Sequence, residues 1–126
     1  MGLHNKMKTS IAKSFTFEAA HVLPNHTGKC KNLHGHSYRL EVLVEGPVQT
    51  TGSEEGMVMD FARLTDVVER EIVIPLDHQY LNDVVAFAPT AELLAEEVFR
   101  RLTSAGIPVS RIELWETPKA RAVVER

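Results

Sequence analysis

Three histidines give the first indication of chemistry in this sequence. His21 ends an alternating apolar run, and His34 and His36 form a His-x-His pair farther along the chain. Side chains two residues apart in a β-strand point to the same face, so the pair places two imidazoles side by side. Three neutral imidazoles are a common ligand set for a catalytic zinc ion, because the fourth tetrahedral position stays free for water or substrate. The sequence therefore predicts a zinc site formed by His21, His34 and His36.

Cys30 lies between these histidines and is the only cysteine of the chain, so no intramolecular disulfide can form. A single free thiol fits a reducing compartment. Two roles are open for it near a metal. It is either a fourth ligand that closes a structural zinc site, or an unbound thiol that acts beside the zinc as a base or nucleophile. The spacing along the chain allows both.

Asp77 and His78 form a second candidate pair. They follow Pro75, which we expect to end a helix, in a loop where both side chains can turn towards one place. An aspartate that orients a histidine, which in turn serves a cysteine, is a familiar arrangement for forming a thiolate near neutral pH. Taken alone, the pair equally fits a solvated loop, and Asp83 is a rival orienting residue.

Glu116 continues the apolar face of Ile112 and Leu114 in a predicted strand. An unpaired carboxylate on that face would be costly to desolvate, so we expect it to have a partner. A planar ring edge with an N–H beside an amino group, as in guanine or a pterin, can donate two parallel hydrogen bonds to a carboxylate. The alternative is that the strand frays at Glu116 and leaves the carboxylate hydrated. The sequence does not decide between the two.

Hydrophobic patterns predict the elements that must position these residues. Apolar and polar residues alternate in four segments, which predicts β-strands. Two segments carry apolar residues at helical spacing, the first with Asp60 as its N-cap and the second opening at Thr90. In chain order, the predicted elements are two strands (11–21 and 34–44), two helices (61–72 and 90–102) and two strands (112–117 and 121–124). The first two strands would form an antiparallel pair around the metal.

Amino-acid composition and net charge indicate which classes of protein fit this sequence. The 126 residues are 44% hydrophobic and 25% charged, which is ordinary for a globular protein, and we expect a single domain over residues 1–126 with a frayed start at 1–7. A net charge of -3 gives no case for binding nucleic acid or an anionic membrane. The sequence contains neither an apolar stretch of the roughly 18 residues that a membrane span needs nor the apolar core of a signal peptide. We therefore expect a cytoplasmic protein that binds a small molecule.

Several strings of this sequence resemble those of the 6-pyruvoyl-tetrahydropterin synthase superfamily. They are Phe17-Glu18-Ala19-Ala20-His21, Cys30-x-x-x-His34-Gly35-His36, Leu76-Asp77-His78-x-Tyr80-Leu81-Asn82, Pro89-Thr90-x-Glu92 and Glu116-Thr117. The match spans about residues 10 to 124. The short spacing between Cys30 and His34 is similar to that of the bacterial branch, which makes 6-carboxytetrahydropterin for queuosine biosynthesis.

The resemblance implies roles for individual residues. The zinc ligands would be His21, His34 and His36. The catalytic base would be Cys30, served by a relay of Asp77 and His78. The pterin ring would be anchored by Glu116, with Thr90 and Glu92 lining the same pocket.

The resemblance also implies an architecture. Members adopt an α+β tunnelling fold of order ββααββ, with an antiparallel four-stranded sheet and two helices on one face. Their subunits form trimers whose sheets close into a barrel, and two trimers stack into a homohexamer with pterin sites between subunits. Such closure would remove open sheet edges, which are otherwise a liability.

The implied reaction is zinc-dependent conversion of 7,8-dihydroneopterin triphosphate to 6-carboxy-5,6,7,8-tetrahydropterin, with release of acetaldehyde and triphosphate. Lys29 and Lys31 are candidates for holding the triphosphate. The alternatives are a 6-pyruvoyl-tetrahydropterin synthase, which stops after triphosphate elimination, and a non-catalytic domain whose zinc site is closed by one cysteine and three histidines. A dihydroneopterin aldolase of the same fold class is less favoured, because it would not need three converging histidines.

Overall fold

The computed structural model of the chain describes residues 7–28 and 31–126. Its elements are β1 (Ser10–His21), β2 (His34–Glu45), α1 (Phe61–Val68), a π-helical turn (Glu69–Val73), α2 (Ile74–Leu76), β3 (Gln79–Tyr80), α3 (Leu81–Val84), α4 (Ala91–Ser104), β4 (Val109–Thr117) and β5 (Ala120–Glu125). Residues 1–6 of the predicted frayed start, and Lys29 and Cys30, lie outside the described residues. In the part of the chain that the structure describes, no helix is long and apolar enough to cross a membrane.

Strands β1 and β2 form the antiparallel pair that their alternating patterns predict. Along β1, Phe15, Phe17 and Ala19 are buried while the intervening residues are exposed. The register runs from Ser10 opposite Glu45 to His21 opposite His34. The apolar face of β1 therefore ends on a histidine that lies directly across from the first residue of β2.

The sheet has five strands in the order β3-β1-β2-β4-β5, so the α+β class is confirmed but the predicted count of four strands is wrong. The long strands pair antiparallel. The additional strand, β3, has only two residues and runs parallel to β1 at Ala19 and Ala20. A two-residue strand has no alternating pattern, so periodicity could not reveal it.

Asp60 caps the first helix as predicted, because its side chain accepts a hydrogen bond from the Ala62 amide at 2.8 Å. Pro75, however, does not end the helical segment. The segment passes without a break through the π-helical turn into α2, and Pro75 lies inside it, one residue before its end. The helical segment ends at Leu76 and brings Asp77 and His78 to the edge of β1. The short helix α3 was also not predicted.

The helices cover one face of the sheet. The inward side chains of β1, β2 and β4 join those of α1 and α4 in a single core, with the largest fully buried side chains at Tyr38, Phe17, Leu40, Leu64, Ile72, Leu81, Leu94, Leu102, Ile112, Leu114, His21 and Val42. Among the described residues, His21 and Tyr38 are the only members of that group with polar side-chain atoms. The core thus has a histidine at its border, where β1 ends.

Candidate metal centre and adjoining clefts

The three predicted ligands come together at the end of the β1–β2 pair. His21, His34 and His36 each offer a ring nitrogen, and these nitrogens lie within 4.8 Å of one another. Antiparallel pairing accounts for this, because it places His21 opposite His34 and Ala19 opposite His36. The group could hold one metal ion.

Backbone carbonyls set the orientation of two of these rings. His21 Nδ1 lies 2.8 Å from the Pro89 carbonyl oxygen, and His34 Nδ1 lies 2.6 Å from that of Asn32. A carbonyl oxygen only accepts, so each Nδ1 carries the proton and donates it, and each Nε2 presents a lone pair. The two Nε2 atoms are 2.9 Å apart. Two lone pairs at that distance repel each other unless a cation lies between them, which fits a bound metal ion or a shared proton.

His36 completes the group with a nitrogen that lacks a partner. Its Nε2 is buried and makes no hydrogen bond among the described residues. Burial lowers the pKa of His36, and the neighbouring His21 and His34 lower it further, while Glu116 acts in the opposite direction. A lowered pKa favours the neutral imidazole, which is the form that binds metals.

Glu116 reaches the same place from β4. Its Oε1 lies 3.6 Å from His21 Nε2 and 3.7 Å from His36 Nε2, with 27% of the side chain exposed. Strand β4 continues to Thr117, so the chain does not fray at Glu116. Its carboxylate therefore faces two histidine rings, at distances too long for hydrogen bonds. The sequence did not indicate this contact, because the pairing of β2 with β4 joins distant segments.

Asp77 and His78 make the predicted side-chain contact, with His78 Nδ1 3.0 Å from Asp77 Oδ2. The other Asp77 oxygen accepts a hydrogen bond from the Glu18 amide at 2.8 Å. That bond, more than the contact with His78, holds the pKa of Asp77 below its usual range. His78 has φ 59°, in the left-handed region, and is 78% exposed. His78 and His36 line one cleft of about 450 Å³ on the edge of the sheet.

Two further residues were considered with this pair, Cys30 and Asp83. Cys30, the predicted base, lies outside the described residues, so its distance from His78 is not part of the structure. Asp83, the rival orienting residue, lies in the exposed first turn of α3. The pair of Asp77 with His78 thus has the geometry of an oriented histidine beside β1, independent of where the thiol lies.

Thr90 and Glu92 occupy the start of α4. The Thr90 hydroxyl accepts a hydrogen bond from the Leu93 amide at 3.2 Å and caps the helix. Glu92 is exposed and lines a cleft of about 220 Å³ together with Glu116 and residues of β5. The structure therefore brings Glu92 close to Glu116, whereas the hydroxyl of Thr90 is engaged in capping.

A larger cleft also adjoins Glu116. It has a volume of about 450 Å³ and is lined by Ser37, Arg39, Trp115, Glu116, Thr117 and Pro118, a size in the range of small-molecule sites. The guanidinium groups of Arg39 and Arg121 stack on Trp115, with their central carbons 5.4 and 4.7 Å from the ring centre. Sequence reasoning did not single out these arginines, since their positions in alternating strands carry no local signal.

Sequence reasoning also missed two contacts that position His21. The Pro89 carbonyl orients His21, and Asn82 holds the backbone of the residue that follows His21. Both belong to strings that resemble the superfamily, but neither string shows which group each residue contacts. Lys31, a candidate for triphosphate binding, is exposed, and Lys29 lies outside the described residues.

Comparison with known proteins gives consistent matches. A family model described as 6-pyruvoyl tetrahydropterin synthase matches residues 10–126. The chain is 48% identical over 110 residues to a Synechocystis protein named 6-carboxy-5,6,7,8-tetrahydropterin synthase, covering 85% of each chain. It is 37% identical over 130 residues to a Haemophilus influenzae protein of the same name, covering 86% of this chain and 92% of that one.

Two other matches show the range of names among similar proteins. A Pyrococcus furiosus protein named dihydroneopterin monophosphate aldolase is 36% identical over 113 residues, covering 87% of this chain and 91% of that one. The solved structure of Caenorhabditis elegans 6-pyruvoyl tetrahydropterin synthase superposes with a TM-score of 0.82 at 26% identity, covering 95% of this chain and 96% of that one. The overall fold and the sequence thus match the same group of proteins.

Proposed function

Since this chain belongs to the 6-pyruvoyl tetrahydropterin synthase family of enzymes, we propose that it is a zinc-dependent lyase that forms 6-carboxy-5,6,7,8-tetrahydropterin. Its substrate would be 7,8-dihydroneopterin triphosphate, which with one water yields the carboxypterin, acetaldehyde and triphosphate. The product name is that of relatives up to 48% identical. The observation that carries the proposal is the pair of Nε2 atoms of His21 and His34, which face each other at 2.9 Å.

The ring nitrogens of the three histidines are suitable ligands for a zinc ion. Three imidazoles converge, two of them have Nδ1 fixed by carbonyls, and the third has a buried nitrogen without a hydrogen-bond partner among the described residues. When bound, the ion would polarise oxygens of the substrate side chain and acidify the adjoining C–H and O–H bonds. The chain's own residues would do the rest: orient the ring, exclude water and move protons.

Glu116 is the proposed anchor of the pterin ring. Glu116 lines two clefts, and the larger one, of about 450 Å³, has the volume to take a bicyclic ring. Two parallel hydrogen bonds from the ring edge to the carboxylate would fix the side chain of the substrate relative to the three histidines. Glu92 lines the smaller cleft beside Glu116, and Thr90 would support this side of the pocket by starting α4 at this point.

Proton transfer is assigned to Cys30, with His78 and Asp77 as its relay. The resemblance supports the role of Cys30, and the contact of 3.0 Å between Asp77 and His78 supports the relay. A thiolate beside an oriented imidazole is a competent base near neutral pH. We place the enzyme in queuosine (7-deazaguanine) biosynthesis, in the cytoplasm and as a homohexamer, on the same resemblance.

Three alternatives remain to be separated by their products. A 6-pyruvoyl-tetrahydropterin synthase would eliminate triphosphate without releasing acetaldehyde. An aldolase, as the name of the Pyrococcus furiosus relative indicates, would cleave the side chain without forming a carboxylate. A non-catalytic zinc domain would leave the substrate unchanged.

The decisive experiment incubates zinc-loaded protein with 7,8-dihydroneopterin triphosphate and identifies the organic products by mass, with acetaldehyde trapped as its hydrazone. We expect carboxytetrahydropterin and acetaldehyde in equal amounts. The matched control is the His34→Ala variant, which should form neither product. A pyruvoyl product without acetaldehyde would overturn the proposed reaction while leaving the metal site intact.

A further inference from the structure

The carboxylate of Glu116 lies near two ring nitrogens of the histidine cluster. One oxygen, Oε1, approaches both His21 Nε2 at 3.6 Å and His36 Nε2 at 3.7 Å. Both distances exceed the usual range for a hydrogen bond between nitrogen and oxygen. The Nε2 of His21 also has no proton to offer in the neutral ring, because Nδ1 donates to Pro89. A carboxylate oxygen facing a lone pair is repelled unless a cation lies between them.

The same distances suit two atoms that share one metal ion. Zinc bonds of about 2.0–2.2 Å to nitrogen and oxygen at tetrahedral angles separate neighbouring ligand atoms by roughly 3.3–3.5 Å. The distances from Glu116 Oε1 to His21 Nε2 and His36 Nε2, 3.6 and 3.7 Å, are slightly longer than this separation. The distance between the Nε2 atoms of His21 and His34, 2.9 Å, is somewhat shorter. Small side-chain movements would bring all of them to bonding distance of a single ion.

Strand β4 points Glu116 to the same face of the sheet as Ile112 and Leu114, and its pairing with β5 is irregular at this residue. Trp115 pairs with Arg121 and Thr117 pairs with Ala120, so Glu116 is the extra residue of a β-bulge. Bulges interrupt the regular pairing of a strand and are frequent beside active sites. The bulge is a second observation, independent of the distances, that sets this carboxylate apart from the other glutamates of the sheet.

We propose that Glu116 is a fourth, exchangeable ligand of the metal in the substrate-free protein, and that a pterin ring removes it from the metal when it binds. This inference rests on the metal site of the proposed function and adds a second task for the residue. Hydrogen bonds from the ring edge compete for the carboxylate, so the coordination position opens only when a ring with the right donors is present. Metal activation is thereby coupled to recognition of the pterin, and free water is kept from that position between turnovers.

The test uses the protein loaded with Co²⁺, whose visible absorption bands report the number and type of its ligands. In the wild-type protein, adding the pterin neopterin should shift these bands. The Glu116→Gln variant should show altered bands before neopterin is added, little further change with it, and on the order of tenfold weaker metal binding. In Glu116→Ala, free acetate should restore bands close to those of the wild type.

Glu41→Gln is the matched control. Glu41 has 28% of its side chain exposed, nearly the same as Glu116, but it lies on β2 and pairs with Arg39 on the opposite face of the sheet. Its cobalt spectrum and metal affinity should equal those of the wild type. Far-UV circular dichroism of each variant shows whether the fold is retained, and acetate rescue requires a folded Glu116→Ala protein.

The possible outcomes separate this inference from the proposed function. Cobalt bands that depend on His34 but are identical in the wild type, Glu116→Gln and Glu116→Ala overturn the role of Glu116 and leave the metal site standing. Absence of any cobalt bands that depend on His34 overturns both. Bands that change with Glu116 and respond to acetate and neopterin support the exchangeable ligand.

Discussion

Asn82 holds the backbone of Val22 through both ends of its side-chain amide. The Val22 amide donates to Asn82 Oδ1 at 3.0 Å, and Asn82 Nδ2 donates to the Val22 carbonyl at 2.9 Å. Val22 directly follows His21, so this contact fixes the strand end that carries a predicted metal ligand. Asp77 holds the Glu18 amide on the same strand, and β3 pairs beside Ala19 and Ala20. Segment 77–82 is thus joined to β1 along its length, so the Asp77–His78 pair and the three histidines are held by the same strand.

Replacing Asn82 should weaken metal binding without removing any ligand. Asn82→Ala loses two hydrogen bonds, which should lower the free energy of unfolding by about 2 kcal/mol. Loss of this support for His21 should reduce zinc affinity on the order of tenfold. Chelator competition and urea denaturation measure the two effects. The control is Asn25→Ala, an exposed loop residue. Unchanged zinc affinity in a destabilised Asn82→Ala protein would mean that the contact serves only the fold.

Removing the metal should destabilise the protein. Binding to the folded state alone adds about 2.7 kcal/mol at a free zinc concentration one hundred times the dissociation constant. Thermal unfolding with zinc and with a chelator should therefore differ in the wild type and coincide in His34→Ala. The metal site would be contradicted if both proteins responded to zinc equally.

Cys30→Ala separates a base from a metal ligand. We expect the variant to keep one zinc per chain and lose at least about 100-fold in turnover, the lower range for removal of a general base. Metal analysis and steady-state rates measure this. Loss of zinc together with unfolding would instead identify the thiol as a structural ligand and exclude it as the base.

Acid should remove the stabilising effect of Asp77. Its pKa is lowered in the folded protein, mainly by the hydrogen bond from the Glu18 amide, so its contribution to stability is present above the unfolded pKa and is lost as the pH falls through the folded pKa. Asp77→Asn should therefore be less stable than the wild type at pH 7, and the difference should shrink as the pH falls below about 4. Urea midpoints across this range provide the measurement. A constant difference at all pH values would show that charge on Asp77 plays no part.

The sequence alone determined the features that depend on a few neighbouring residues. The alternating pattern of β1 placed His21 on the apolar face, and the His-x-His spacing placed His34 and His36 on one face of β2. The capping role of Asp60 was equally evident. These features could be predicted because strand and helix geometry repeat over two to four residues, so side-chain direction follows from spacing.

Only the tertiary structure decided which distant segments meet. Three features depend on contacts between separate segments: the register of His21 opposite His34, the Pro89 carbonyl on His21, and the pairing of β2 with β4 that brings Glu116 to the same nitrogens. No local pattern encodes such contacts, because they follow from how the whole core packs. The convergence of the three candidate metal ligands could therefore be predicted from spacing, whereas the position of Glu116 beside them followed only from the pairing of β2 with β4.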